Sequence, residues 1–172
     1  GWWNLYRFAH GVVEALCPRE AEFGGPLWTF GGSLYGFRSE DEIVCAYIEG
    51  GVSKLARLRG GQLTEVATPY EEIRELRVNA HTVALLGGAP IVALELARID
   101  LDGGRHDVLA RSIAQLPDVG YLAVPQSISY PSANGRSAYA FHYAPTNRDF
   151  APQDGELPPL IVIGHGGPTG MA

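Results

Sequence analysis

Cysteine is scarce in this chain of 172 residues, which contains only Cys17 and Cys45. The two lie far apart in the sequence and match no metal-binding or redox motif. Cys45 stands in an apolar stretch, where a buried free thiol is the expected state. This pattern argues against a disulfide framework and predicts a cytoplasmic location.

Long apolar runs and excess positive charge are also lacking. No apolar run approaches the roughly 20 residues that a membrane-spanning helix needs. Acidic residues outnumber Lys and Arg by 19 to 13, and the net charge is -6. This balance argues against nucleic acid or an anionic membrane as a partner. A hydrophobic content of 46% is that of a globular rather than a disordered protein.

Metal-ligand spacing is absent too. Four histidines, His10, His81, His106 and His142, are too scattered to suggest a metal site. Residues 100–104 begin like a calcium loop but lack its later ligand positions. The sequence therefore predicts no metal and no cofactor. The acidic runs at residues 40–42 and 71–72 could face a propeller channel and bind the amino terminus of a substrate, but they are interpreted as solvated surface stretches.

A short pattern, Leu-x-Arg followed by an apolar residue, occurs three times, beginning at Leu5, Leu55 and Leu96. Each copy precedes a glycine-containing turn and another short apolar stretch. Within each copy the apolar and arginine positions alternate, as on a half-buried strand. A spacing of about 40–50 residues between such units is typical of propeller blades. We therefore predict mainly β structure, with the partial blades of a β-propeller in residues 1–116.

The strand and turn signals define one full blade and part of the next. The full blade has predicted strands at residues 27–30, 43–48, 54–58 and 62–66. The next has predicted strands at residues 82–86 and 90–98, with a turn at Gly87-Gly88 between them. Residues 89–96 could instead form a helix, but the flanking glycine pairs favour a strand. Trp2, Trp3 and Trp28 are expected to pack between blades.

A second domain is predicted at residues 117–172, where the repeat has ended. Asn134-Gly135 is a strong hairpin signal between two short alternating strands. Residues 144–159 are rich in Pro, Asn and Asp, which is typical of a surface loop. Residues 160–164 are apolar without alternation, and this predicts a strand buried on both faces.

The motif His165-Gly166-Gly167-Pro168 directly follows that predicted strand. Two adjacent glycines let the backbone turn sharply and let another group approach its N–H groups. An ordinary glycine-rich turn would also fit these four residues alone. Residues 157–170 as a whole, Leu-Pro-Pro-Leu-Ile-Val-Ile-Gly-His-Gly-Gly-Pro-Thr-Gly, resemble the prolyl oligopeptidase family of serine peptidases. The resemblance is to its acylaminoacyl-peptidase and dipeptidyl-aminopeptidase branch.

This resemblance implies a β-propeller followed by an α/β-hydrolase domain that carries a Ser-Asp-His triad. The expected activity is hydrolysis of short or N-acylated peptides through an acyl-enzyme. In such a domain the loop supplies a backbone N–H to the oxyanion hole. Gly167 is the first candidate for that donor and Gly166 the second, while His165 is expected to position the loop.

A nucleophile is missing from the sequence. The Gly-x-Ser-x-Gly elbow that a hydrolase requires does not occur, and the nearest patterns, around Ser33 and Ser137, lie in all-β contexts. We therefore expect the triad to lie outside this chain, in a longer parent protein, and these residues alone to be inactive. The expected partners are a peptide substrate, the rest of the parent polypeptide and a possible second copy. The alternative is a non-catalytic propeller that binds other proteins.

Overall fold

The structure is a computed structural model that describes residues 1–25, 28, 30–164 and 166. In these residues it contains twelve β-strands, two short 3-10 turns and no α-helix, which confirms the expectation of mainly β structure. None of the described residues belongs to a helix long and apolar enough to span a bilayer. The protein divides into two compact units, Gly1–Ala114 and Gln115–Ala172.

The first unit consists of three antiparallel sheets whose strands follow sequence order. A two-stranded sheet pairs β1 (Tyr6–Ala9) with β2 (Val12–Ala15). The next sheet contains β3 (Tyr35–Phe37), β4 (Glu42–Glu49), β5 (Val52–Arg59) and β6 (Gln62–Val66). The last contains β7 (Glu72–Val78), β8 (Thr82–Ala89), β9 (Val92–Asp100) and β10 (His106–Arg111).

The Leu-x-Arg repeat marks equivalent positions in the two four-stranded sheets. Leu55 lies on β5 and Leu96 on β9, each the third strand of its sheet. The prediction that these copies occupy equivalent strands is confirmed, as is strand rather than helix for residues 92–96. The two leucines differ in burial, because Leu55 is 1% exposed whereas Leu96 is 38% exposed.

A hydrophobic core lies between the two four-stranded sheets. Apolar residues of β4 and β5 contact those of β7, β8 and β9. On β9 every second residue from Glu95 to Ile99 is buried, as on a strand with one buried face. The largest fully buried side chains of this core are Leu55, Leu76, Leu85, Val44 and Val83. The strongly apolar β4 is buried on both faces, since a second core covers its other side.

That second core is built around Tyr47 of β4. The Phe23 ring stacks on the Tyr47 ring with centroids 5.0 Å apart, and the Arg19 guanidinium lies 5.4 Å from the same ring. The ammonium of Lys54 binds the carboxylates of Glu49 at 2.9 Å and Glu65 at 3.1 Å. Burial, followed by the hydrogen bond to Glu65, raises the pKa of Tyr47 to about 12. These contacts hold the segment before β3 against the sheet.

Two predicted strand boundaries are wrong. Residues 27–30 are not the first strand: Trp28 and Phe30 lie in a turn and a bend, and Leu27 and Thr29 are outside the described residues. The first strand is β3, whose central Gly36 has a low strand propensity and concealed it. Gly87 and Gly88 lie inside β8 rather than in a turn, and the backbone reverses at Pro90 and Ile91.

The second unit contains one antiparallel hairpin, formed by β11 (Gln126–Pro131) and β12 (Ser137–His142). Its five-residue connection contains Asn134 at φ 59° and Gly135 at φ 70°. Asparagine and glycine tolerate this left-handed backbone better than other residues do. The hairpin predicted at Asn134-Gly135 is therefore confirmed.

The buried strand predicted at residues 160–164 is not found. Residues 157–164 have no regular structure, and the side chains from Leu160 to Ile163 are each 79–83% exposed. A central strand needs neighbours that accept and donate its ladder hydrogen bonds, and no described residue supplies them to this segment.

Candidate functional site

The predicted oxyanion loop lies mostly outside the described residues, which include neither His165 nor Gly167. Gly166 is described, and it is exposed. The roles of Gly167, Gly166 and His165 therefore stay predictions.

Neither serine of the near-miss motifs is placed as a nucleophile. The Ser33 hydroxyl donates to the backbone carbonyl of Tyr35 at 2.7 Å. Ser137 begins β12 opposite Pro131. Within the described part of the protein, neither hydroxyl contacts a histidine or a carboxylate that could activate it. These residues lack the geometry for acyl transfer.

A charged cluster joins the two four-stranded sheets, with Glu42 at its centre. The Glu42 side chain is only 7% exposed. The prediction that residues 40–42 form a solvated surface stretch is therefore wrong for Glu42. The Arg57 Nε lies 2.6 Å from Glu42 Oε1 and the Arg57 Nη2 lies 3.1 Å from Oε2, a bidentate pair. Arg38 donates to the same carboxylate at 3.1 Å.

The two arginines of this cluster also reach the following sheet. Arg38 donates from Nε to the Ala80 carbonyl at 2.9 Å and forms a second ion pair with Asp102. Arg57 donates to the Leu101 carbonyl at 3.3 Å. Hydrogen bonds from Arg57, opposed by burial and reinforced by Arg38, hold the pKa of Glu42 below its ordinary value. The cluster thus fixes one sheet against the next.

Replacing Glu42 with glutamine is expected to lower the free energy of unfolding by about 2 kcal/mol, because two arginines then lose a charged, mostly buried acceptor. Asp41→Asn is the matched control. Asp41 precedes Glu42 and also binds an arginine, Arg59, but both side chains of that pair are more than 60% exposed. Its loss should cost clearly less, because an exposed ion pair contributes little to stability. Urea unfolding of both variants measures the difference.

The pH dependence of the same variants gives a second measurement. A carboxylate with a lowered pKa stabilises the folded state at neutral pH and loses that contribution as the pH falls through the folded pKa. The stability gap between the natural protein and Glu42→Gln should therefore narrow below pH 4.5, the ordinary glutamate pKa. Equal costs for Glu42→Gln and Asp41→Asn at pH 7 would contradict the role of Glu42.

A second polar group surrounds the hydroxyl of Tyr70. It donates to Glu95 Oε1 at 2.6 Å and lies 2.7 Å from His106 Nε2. The contact with His106 is also a hydrogen bond, and which of its two atoms donates depends on the His106 tautomer. Arg111 Nε lies 3.1 Å from the other Glu95 oxygen, which neutralises a carboxylate that is 5% exposed.

The Tyr70 ring lies directly over Gly87 of β8. A methyl group at Gly87 would lie 2.4 Å from the ring carbon Cγ, well inside contact distance. Burial, followed by the hydrogen bond to Glu95, raises the pKa of Tyr70. The sequence patterns did not reveal this group, and the available signal was Glu95, a charged residue on the apolar strand β9.

The histidines are placed separately. His81 lies 3.5 Å from Asp102, and His106 contacts Tyr70. In residues 1–25, 28, 30–164 and 166, no three His, Cys, Asp or Glu side chains are grouped so that they could hold a metal ion.

Comparison with known proteins identifies relatives by structure. No protein-family model and no curated protein matches the sequence. A Mycobacterium tuberculosis puromycin-hydrolysing peptidase matches 92% of this chain with a TM-score of 0.83 and 34% identity. Puromycin hydrolase, and a serine-to-alanine mutant of it complexed with PGG, each match 92% of the chain with a TM-score of 0.82 and 32% identity.

The chain spans 25% of the length of each of these peptidases. The likeness extends over 92% of the 172 residues, so it includes residues of both units. The resemblance to the prolyl oligopeptidase family is confirmed, because the structural neighbours of this chain are puromycin-hydrolysing peptidases of that family.

Proposed function

We propose that the parent protein is a serine peptidase and that residues 1–172 contribute its last propeller blades and the beginning of its α/β-hydrolase domain. The two four-stranded sheets, each with its strands in sequence order, support the blade interpretation. The observation that carries the proposal is the 34% identity and TM-score of 0.83 with a puromycin-hydrolysing peptidase over 92% of this chain.

The substrates we propose are short peptides and aminoacyl amides, with N-acylated peptides as the further class implied by the sequence motif. Puromycin, which the neighbours' names give as their substrate, contains an amide between an aminoacyl group and a nucleoside. Hydrolysis of that bond requires the same attack on a carbonyl as hydrolysis of a peptide bond. One active site could therefore serve both.

In the proposed mechanism a serine outside this chain attacks the substrate carbonyl while a histidine accepts the serine proton. The carbonyl oxygen becomes negatively charged, and the Gly167 N–H donates a hydrogen bond to it, with Gly166 as the second candidate. The histidine then passes the proton to the leaving amine, and water releases the acyl group. His165 holds the loop in place. The mutated serine in one neighbour supports the choice of serine chemistry.

We propose that the parent protein is cytoplasmic. Both cysteines are free thiols. Burial, followed by the proximity of Cys17, raises the pKa of Cys45 to about 12, so its reactive thiolate form is rare. Free thiols of this kind persist in a reducing compartment. A homo-oligomer remains a prediction.

The test uses the complete protein and the isolated 172-residue chain side by side. The complete protein should hydrolyse puromycin and should react with a fluorophosphonate probe at one serine beyond residue 172. The isolated chain should do neither, because it lacks the nucleophile. Labelling of Ser33 or Ser137 would contradict the proposal. A complete protein without hydrolysis or labelling would instead support the binding-module alternative.

A further inference from the structure

The asparagines of this protein differ in how their side chains are held. Three of the four have a side-chain oxygen that accepts backbone hydrogen bonds. Asn4 accepts from the Arg19 N–H at 2.8 Å. Asn79 accepts from two backbone N–H groups at 2.9 and 2.8 Å, and Asn147 from two at 3.0 and 3.2 Å. Each of these side-chain amides is therefore held in place by hydrogen bonds.

Asn134 is the exception. Its side chain forms no hydrogen bond with any described residue, and residues 131–137 are all exposed. The following residue, Gly135, has no side chain, and a methyl group at its Cα would have no atom within 4 Å among the described residues beyond its two chain neighbours. The other three asparagines are followed by Leu5, Ala80 and Arg148, whose side chains obstruct approach to the backbone nitrogen.

We propose that Asn134-Gly135 is a site of spontaneous backbone modification in the folded protein, through a succinimide that opens to aspartate and isoaspartate. The Gly135 nitrogen loses its proton to solvent and attacks the carbonyl carbon of the Asn134 amide. The new N–C bond closes a five-membered ring, and the C–N bond of that amide breaks to release ammonia. Water then opens the ring at either carbonyl, so water is the only co-reactant.

The consequence for the hairpin follows from its register. Opening at the backbone carbonyl leaves isoaspartate, which routes the backbone through one extra methylene. The connection between Pro131 and Ser137, which are paired, then becomes longer. One strand end must shift or open to accommodate it, and a negative charge is added beside Arg136. The modification therefore loosens the end of the β11–β12 hairpin. This inference does not depend on the proposed peptidase activity.

The experiment incubates the folded 172-residue protein at mildly alkaline pH and follows all four asparagines by peptide mapping and mass spectrometry. Loss of ammonia is expected first and selectively at Asn134, with isoaspartate as a product, while Asn4, Asn79 and Asn147 keep their amides. The Asn134→Gln variant should retain the hairpin and lose the reaction, because its ring would be one atom larger. The same time course in denaturant shows the intrinsic reactivity of each site.

Two results would overturn the proposal. One is loss of ammonia from Asn147 or Asn79 at the same rate as from Asn134 in the folded protein. That result would mean that the hydrogen bonds do not protect those side-chain amides from the reaction. The other is an Asn134 that reacts only in denaturant, which would mean that the folded turn holds the backbone away from ring closure.

Discussion

For the peptidase that we propose the complete protein to be, Gly167→Pro is expected to lower kcat on the order of 10²–10³-fold, because proline has no N–H to donate to the proposed oxyanion. A donor that acts only in the transition state contributes to kcat and little to ground-state binding. A non-reacting product analogue should therefore bind almost normally. Steady-state kinetics and a binding titration on the same preparation measure the two effects.

Two controls separate chemistry from damage to the loop. Gly167→Val keeps the N–H and tests steric fit alone, so it should retain more activity than the proline variant if the donor matters. Thermal unfolding of each variant excludes a global loss of structure. An unchanged kcat in folded Gly167→Pro would remove Gly167 from the mechanism and leave Gly166 or His165 as the candidate.

Gly87→Ala is expected to lower the free energy of unfolding by about 3 kcal/mol, the cost of forcing an added methyl group into a packed core. The added carbon would lie 2.4 Å from the Tyr70 ring. The ring cannot move away cheaply, because its hydroxyl binds Glu95 and it is 3% exposed. Denaturant unfolding of the 172-residue protein measures the loss.

The neighbouring glycine provides the matched control. A methyl group at Gly88 would have its nearest contact at 3.6 Å, an ordinary packing distance. Gly88→Ala should therefore leave stability nearly unchanged. In a Tyr70→Ala background the cost of Gly87→Ala should largely disappear, since the two residues are in direct contact. The prediction would be contradicted if Gly87→Ala and Gly88→Ala lowered the free energy of unfolding equally, or if the Gly87→Ala loss were undiminished without the Tyr70 ring. Either result would show that strand propensity, and not the ring, sets the cost of the added methyl group.

Local signals were sufficient for much of the fold. The β6 strand has the predicted bounds, Gln62–Val66, because alternation and glycine turns define it within a few residues. Asn134-Gly135 indicated the hairpin because its backbone preference is a property of that dipeptide. The equivalent placement of Leu55 and Leu96 followed from an internal repeat, which needs no knowledge of distant contacts.

The errors come from interactions between residues far apart in the sequence. Gly87 was interpreted as a turn residue, but it is a glycine in a strand because the Tyr70 ring occupies the space of its side chain. Glu42 was interpreted as solvated, but two arginines allow its burial. The apolar residues 160–164 suggested a buried strand, whereas burial depends on partner strands that the sequence pattern cannot supply.

Of the candidate site, the motif indicated the loop and its three residues, while the charged and polar clusters of the first unit went unnoticed. Glu95 and Tyr70 are 25 residues apart, and no local pattern pairs them. Ion pairs between sheets, such as Arg38 with Asp102, become visible only once the strand order is known.

Lys54, bound to Glu49 and Glu65 beside the Tyr47 ring, is the only lysine in the sequence. Amine-directed acylating reagents react with the neutral amine of lysine, which is the nucleophile. The hydrogen bonds of Lys54 with Glu49 and then Glu65 raise its pKa, so the neutral amine is rarer. Acylation of Lys54, the one lysine in these 172 residues, should therefore be slow. The rate at which a reporter group attaches to Lys54 becomes a probe of how often that ring and its two carboxylates separate.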